Sequence, residues 1–126
     1  MIGRHWRDVL LACLVVATGA CSHGEADAAA LTHGGDAARG KELIRSYGCG
    51  SCHSIPRLRG AQSIVGPNLE GMATRAYIAG VLPNTPENMV RWLMNPPGVD
   101  DKTAMPNLHI GAAQARDIAA YLYTLQ

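Results

Sequence analysis

Phenylalanine is missing from this chain altogether, and Phe, Trp and Tyr together make up 5% of its 126 residues. A core region of about 90 residues, short of aromatic material, is small for a chain without a stapling element. No stretch alternates like a strand over any length, and no segment repeats, so sheet-based and solenoid architectures are excluded. Neither sign of charge is in excess. The formal net charge is +1, and beyond Cys21 nine Lys and Arg face nine Asp and Glu. A nucleic-acid partner demands clustered positive charge, so that class is excluded. Long-range steering towards a protein partner is modest for the same reason. Cysteine is scarce too: four residues, at 13, 21, 49 and 52. Two lie in or at the end of an N-terminal apolar segment and two form a close pair, which leaves none for an internal disulfide or a thiolate cluster.

Residues 1–20 carry the marks of a secretory signal peptide. Arg4 and Arg7 make a positive start, and the apolar run Val9–Ala20 is too short to span a bilayer comfortably. The run ends Thr18-Gly19-Ala20-Cys21, similar to a bacterial lipobox with Thr18 where Leu is usual. That resemblance implies cleavage before Cys21 and lipid on its side chain. Several acyl chains on one residue anchor a protein stably, where one does not. The alternatives are ordinary cleavage, giving a soluble periplasmic protein, and an uncleaved anchor; all three imply export. Residues 21–35 are rich in Ala, Gly and His without apolar period, and read as a lipid-anchored flexible tether with a reach of about 20 Å. His23 and His33 within it are expected to be solvated.

The rest of the chain is organised around Cys49-Gly50-Ser51-Cys52-His53. Two cysteines separated by two residues, with histidine next, form the C-x-x-C-H pattern of c-type haem attachment. One helical turn presents both thiols to the two vinyl groups along one porphyrin edge, and His53 then offers its imidazole to the iron. A thiol-redox site would sit after a strand in a βαβ setting, and a structural zinc site would need a second ligand pair. Neither context is present, and neither explains the histidine. One covalently attached haem c, a large flat apolar body, also supplies the missing staple.

Around this motif the sequence predicts short helices. Asp36 caps a helix with Leu43, Ile44 and Tyr47 on one face and Gly48 at its end. Gly40 costs that helix about 1 kcal/mol relative to Ala, which a close helix crossing would justify. Gly66-Pro67 is a rigid turn whose carbonyl would accept the outer N–H of His53. Arg57 and Arg59 read as solvated or as part of a docking surface. Arg75 and Tyr77, after a short helix, are candidates to hydrogen-bond haem propionates; the alternative is a surface Arg beside a core Tyr. Thr85-Pro86-Glu87 starts a helix that must stop near Asn95, before Pro96-Pro97, and its Trp92 and Leu93 are expected to line the haem pocket. A loop, Gly98–Asn107, follows. The last helix, about Ala112–Leu125, carries an apolar stripe of Ala115, Ile118, Ala119, Leu122 and Leu125.

The iron's second axial position has five candidate donors: Met72, Met89, Met94, Met105 and His109. Met89 and Met94 belong to an amphipathic helix, and Met72 follows the motif too closely for the chain to cross the porphyrin. Met105 sits on a loop far enough along to reach the opposite face, stiffened by Pro106. A thioether there suits electron transfer and raises the potential.

Gly40-Lys41-Glu42-Leu43, Gly48-Cys49 with Cys52-His53, Gly66-Pro67-Asn68-Leu69, Trp92-Leu93-Met94-Asn95-Pro96, Thr103-Ala104-Met105-Pro106 and Ala120-Tyr121-Leu122 fall in order over residues 36–126. In these the chain resembles a class I c-type cytochrome. The resemblance implies an all-α fold, short helices wrapped around one haem, with His53 and Met105 as iron ligands and Cys49 and Cys52 as attachment points. It also implies that the first and last helices cross, Gly40 opposite Ile118 and Tyr121. Trp92 stands thirteen residues before Met105, where mitochondrial relatives have Tyr, so no hydroxyl is offered near the sulfur. The stretch from Arg75 to Pro86 is similar to small bacterial cytochromes associated with haem–copper terminal oxidases and to the cytochrome domains fused to oxidase subunit II.

These features together lead to the expectation of a non-enzymatic electron carrier without a small-molecule substrate, since protein fills both axial positions. The expected acceptor is a terminal oxidase and the donor a quinol-oxidising complex. A cytochrome subunit of a periplasmic dehydrogenase complex is the alternative, and a haem enzyme or gas-binding protein with a labile Met105 is a further one.

Overall fold

The computed structural model describes residues 23–126, so the signal-like segment and Cys21 lie outside the described residues. Five helices account for most of the regular structure. They are α1 (His23–Leu31), α2 (Ala37–Ser46), α3 (Pro86–Met94), the single turn α4 (Pro96–Val99) and α5 (Ala112–Leu122). A two-stranded hairpin, β1 (Tyr77–Ile78) with β2 (Leu82–Pro83), precedes α3. No helix among the described residues is long and apolar enough to cross a membrane.

Helix α2 begins where Asp36 accepts a hydrogen bond from the Arg39 N–H at 2.9 Å, which satisfies an orphan donor of the first turn. It ends at Tyr47, and Gly48 takes the left-handed conformation (φ 70°) that lets the chain turn into the cysteine motif. The crossing of α2 and α5 is the largest helix contact of the fold. Gly40 lies at its centre: a side chain there would run into the Asp117 carbonyl and the Ile118 Cα. The conformational cost of glycine is thus exchanged for close helix approach. On α5, Ala115, Ile118, Ala119 and Leu122 are buried along the expected stripe. The helix stops at Leu122, shorter than expected, and a turn through Leu125 N–H to the Leu122 carbonyl (3.1 Å) keeps Leu125 in the core.

Helix α3 starts as its sequence dictates, with the Thr85 hydroxyl accepting from the Asn88 N–H at 3.2 Å and Pro86 in the first turn. Met89, Trp92 and Leu93 face inward and are buried. The segment expected as a loop after Asn95 opens instead with α4, because Asn95 Oδ1 accepts from the Gly98 N–H at 3.2 Å and two prolines suit a helix start. The hairpin was not expected either. Ala79 and Gly80 both have positive φ, and Val81 N–H donates to the Ile78 carbonyl at 3.0 Å, which closes a tight turn of primed type.

The stretch 23–35 differs most from its expectation as a flexible tether. It folds into α1, and its end packs on α5. Ala28 is buried, and Thr32 is 1% exposed with its hydroxyl donating to the Ala28 carbonyl at 2.7 Å. A side chain on Gly35 would strike the Arg116 carbonyl and the Thr32 hydroxyl. The contact is made by Ala, Thr and Gly, whose small size permits close approach but leaves no hydrophobic period to read. His33 is exposed as expected, within 3.3 Å of the Glu87 carboxylate.

Candidate functional site

The turn Cys49–Ser51 is a single 3₁₀ turn, continued when the N–H groups of Cys52 and His53 both donate to the Cys49 carbonyl, at 3.2 and 2.9 Å. Both cysteines are unpaired and half-buried on this one turn. Burial pushes the Cys49 thiol above its ordinary pKa, with the neighbouring Cys52 adding to the effect. Among the described residues no three His, Cys, Asp or Glu side chains gather to hold a metal ion, so the pair has no partners for a zinc site.

His53 is fixed from outside. Its Nδ1 lies 2.7 Å from the Pro67 carbonyl oxygen, which selects the tautomer with the proton on Nδ1 and leaves Nε2 with its lone pair. Gly66 makes the approach possible, since a Cβ there would lie 2.7 Å from Cε1 and 2.9 Å from Nδ1 of the ring. The loop is pinned by the Gly66 N–H to the Cys52 carbonyl (2.6 Å) and the Leu69 N–H to the Ser54 carbonyl (2.9 Å). Arg75 tightens it further, its Nη2 donating to the carbonyls of Asn68 and of Glu70, the latter at 2.9 Å.

Of the five candidate axial donors, Met72 and Met89 are buried in the core, Met94 is exposed on the end of α3 and His109 is exposed. Met105 alone among them is a half-buried thioether on a loop, packed against the edge of the core and positioned by its N–H donating to the Thr103 hydroxyl at 3.1 Å. Leu69, Val99 and Leu108, from three other segments, share that half-buried condition. Leu108 carries no signal in the sequence, whereas Leu69 follows the Gly66-Pro67 turn directly.

These residues fit a haem. Two thiols on one turn, an imidazole held with one nitrogen free, a glycine cradle beneath it and a loop thioether on a half-buried apolar rim are the donor set that a covalently attached porphyrin needs. Trp92 and Leu93 are buried in α3, packed in the core. Arg75 is committed to backbone carbonyls, and Tyr77 is 59% exposed on the hairpin, so the alternative of a core Tyr does not hold. Arg57 is exposed, as expected, and also makes a tie to the backbone. With φ at 60°, its Nη2 donates to the Thr124 carbonyl at 2.7 Å, and Tyr121 OH donates to the Pro56 carbonyl at 3.0 Å. The loop after the motif is thereby strapped to the C-terminus. Asn84 was not singled out by its sequence position. Its Nδ2 donates to the carbonyls of Met72 and Arg75, both at 2.8 Å, and its Oδ1 accepts from Tyr123 OH at 2.9 Å.

The protein-family model that matches is that of cytochrome c, over residues 37–126. The chain belongs to the cytochrome c family. It has the class I fold and is an electron-transfer haem protein of c type. Among curated relatives, cytochrome c oxidase subunit 2 of Bacillus sp. (strain PS3) is 33% identical over 89 residues. That match takes in 68% of this chain and 25% of the relative. Cytochrome c oxidase subunit 2 of Bacillus subtilis (strain 168) is 29% identical over 89 residues, 69% of this chain and 25% of the relative. The chain therefore matches about a quarter of the length of either relative. No solved structure gives a significant match.

Proposed function

We propose that this protein is a single-haem electron carrier that serves a haem–copper terminal oxidase. Cys49 and Cys52 would hold the porphyrin by two thioethers, and His53 and Met105 would ligate its iron. The haem supplies a reversible one-electron couple. The chain's own residues do the rest. Pro67 holds the His53 ring and its Nδ1 proton, Gly66 keeps room for that ring, and Thr103 and Pro106 stiffen the Met105 loop. With His53 and Met105 both given to the iron, no site would remain for substrate, and the protein would be a carrier and not an enzyme.

The observation that carries this reading is the His53–Pro67 contact directly after two unpaired cysteines on one turn. The naming of both curated relatives as subunits of cytochrome c oxidase supports the oxidase as acceptor. A quinol-oxidising complex or a dehydrogenase is the donor. The protein works on the periplasmic side of a bacterial membrane, released from residues 1–20 and anchored by lipid on Cys21.

Mass spectrometry of the protein extracted from membranes tests the chemistry. The reading requires one haem that survives denaturation on the peptide spanning Cys49–His53, and acyl groups on an N-terminal Cys21. A mature mass without the haem overturns the carrier; a haem without acyl groups overturns only the anchor.

A further inference from the structure

Ile64 and Val65 are 94% and 79% exposed, the most exposed of the large apolar side chains among the described residues. They do not belong to a floppy segment. Gln62 bridges to Ser54 on one side of them, and on the other the Gly66 N–H donates to the Cys52 carbonyl at 2.6 Å. The Val65 N–H donates to the Ser63 hydroxyl at 3.3 Å inside the arch. A short arch pinned at both feet thus holds two aliphatic side chains out in water, one residue from the glycine that cradles His53. Across residues 60–69 there is no charged side chain of either sign.

We infer that the Ile64–Val65 arch is the docking contact for the electron-accepting protein, and that the accepting face is apolar and uncharged where it meets the arch. This rests on the carrier reading given above. An electron leaves a buried iron where the cofactor comes nearest the surface, and the backbone carbonyl of Cys52, whose thiol would carry one of the two attachments, accepts from the Gly66 N–H at the foot of the arch. Exposed aliphatics at that point gain only when a partner covers them. With no charge on the arch and nine charges of each sign on the chain beyond Cys21, encounter is not steered by long-range attraction. A lipid surface is the other apolar occupant, but it would cover the edge from which the electron must leave, and the arch lacks the basic residues that favour an interface.

The test uses the full haem-loaded protein and a double variant, Ile64→Ser with Val65→Ser, each reduced with ascorbate and then oxidised by membranes of the source organism under air. Absorption spectrum, midpoint potential and the rate of oxidation by ferricyanide are measured alongside. The variant is expected to be oxidised by membranes about tenfold more slowly, as for truncation of a central interface contact. Its spectrum, potential and ferricyanide rate stay at the wild-type values. The wild-type rate is expected to change less than about threefold between about 0.01 M and about 1 M salt. A variant as fast as wild type, or a wild-type rate that collapses with salt, overturns the docking surface. So does a shifted spectrum or potential, which would put these side chains against the porphyrin. Sedimentation of the wild type, but not the variant, with phosphatidylcholine vesicles would assign the arch to lipid instead. Absence of any membrane-driven oxidation of the wild type contradicts the carrier reading itself, and with it the surface.

Discussion

His53 Nδ1 and the carbonyl oxygen of Pro67, fourteen positions apart in the chain, stand 2.7 Å from each other. The proline cannot donate a backbone hydrogen bond and fixes its own φ, so its carbonyl is a stiff acceptor. The ring that it orients presents Nε2 on the opposite side. The N–H groups of Gly66 and Leu69 and the Arg75 guanidinium keep that loop in place.

Gly66→Ala tests the cradle. The added methyl would meet the His53 ring at 2.7 Å, and either the ring or the pinned loop must move. Overpacking of this kind costs about 1–3 kcal/mol. Thermal unfolding of the variant is expected to show that loss, accompanied by a shifted midpoint potential; an unchanged potential would mean that the ring does not depend on the loop.

Asp117 predicts an acid limb of stability. Its carboxylate accepts from the Asp36 N–H at 2.8 Å and from Nε and Nη2 of Arg39, both at 2.9 Å, joining the start of α2 to α5. The Arg39 hydrogen bond holds its pKa below the ordinary carboxylate value despite burial. A depressed native pKa stabilises the fold above the unfolded value, and this is lost as pH falls through the native one. Asp117→Asn is expected to lower stability by about 1–3 kcal/mol at neutral pH. The gap to wild type should narrow below about pH 4, as unfolding midpoints measured against pH will show.

At the alkaline end the relevant group is Tyr123. Burial pushes its pKa up to about 12, and Glu87 adds to the rise. A phenol whose pKa is raised on folding stabilises the native state fully below about pH 10. That contribution drains away as pH climbs towards about 12. Tyr123→Phe keeps the ring, removes this dependence and forfeits the bond to Asn84, at a cost of about 1 kcal/mol. Unfolding at pH 8 to 12, with carbon-labelled tyrosine followed by NMR, checks both parts (about two units on either side of the ordinary tyrosine value).

Helix starts and close approaches were legible in the sequence because single residue types carry them. Asp36, Thr85-Pro86 and Gly40 each have one physical use where they stand. The motif at 49–53 and the turn at 66–67 were legible because residue type and spacing together narrow what each can do. What escaped notice depends on tertiary partners. Helix α1 is held by Ala28, Thr32 and Gly35, small residues without a hydrophobic period. Arg57 gains its role only because Thr124 folds back beside it. Asn84 links three segments far apart in the chain, and nothing next to it in the sequence announces that. The hairpin at Tyr77–Pro83 is too short for alternation to show.

An iron closed on both faces by His53 and Met105 has a signature in the ferric absorption and electron paramagnetic resonance of the wild type, measured beside Met105→Ala and Met94→Ala. The wild type is expected to be low-spin with a sulfur-to-iron charge-transfer band. That band persists in Met94→Ala and disappears in Met105→Ala, where the iron becomes high-spin and open to added ligands. A wild type that is already high-spin and binds ligands, or a band that survives in Met105→Ala, would contradict that closure.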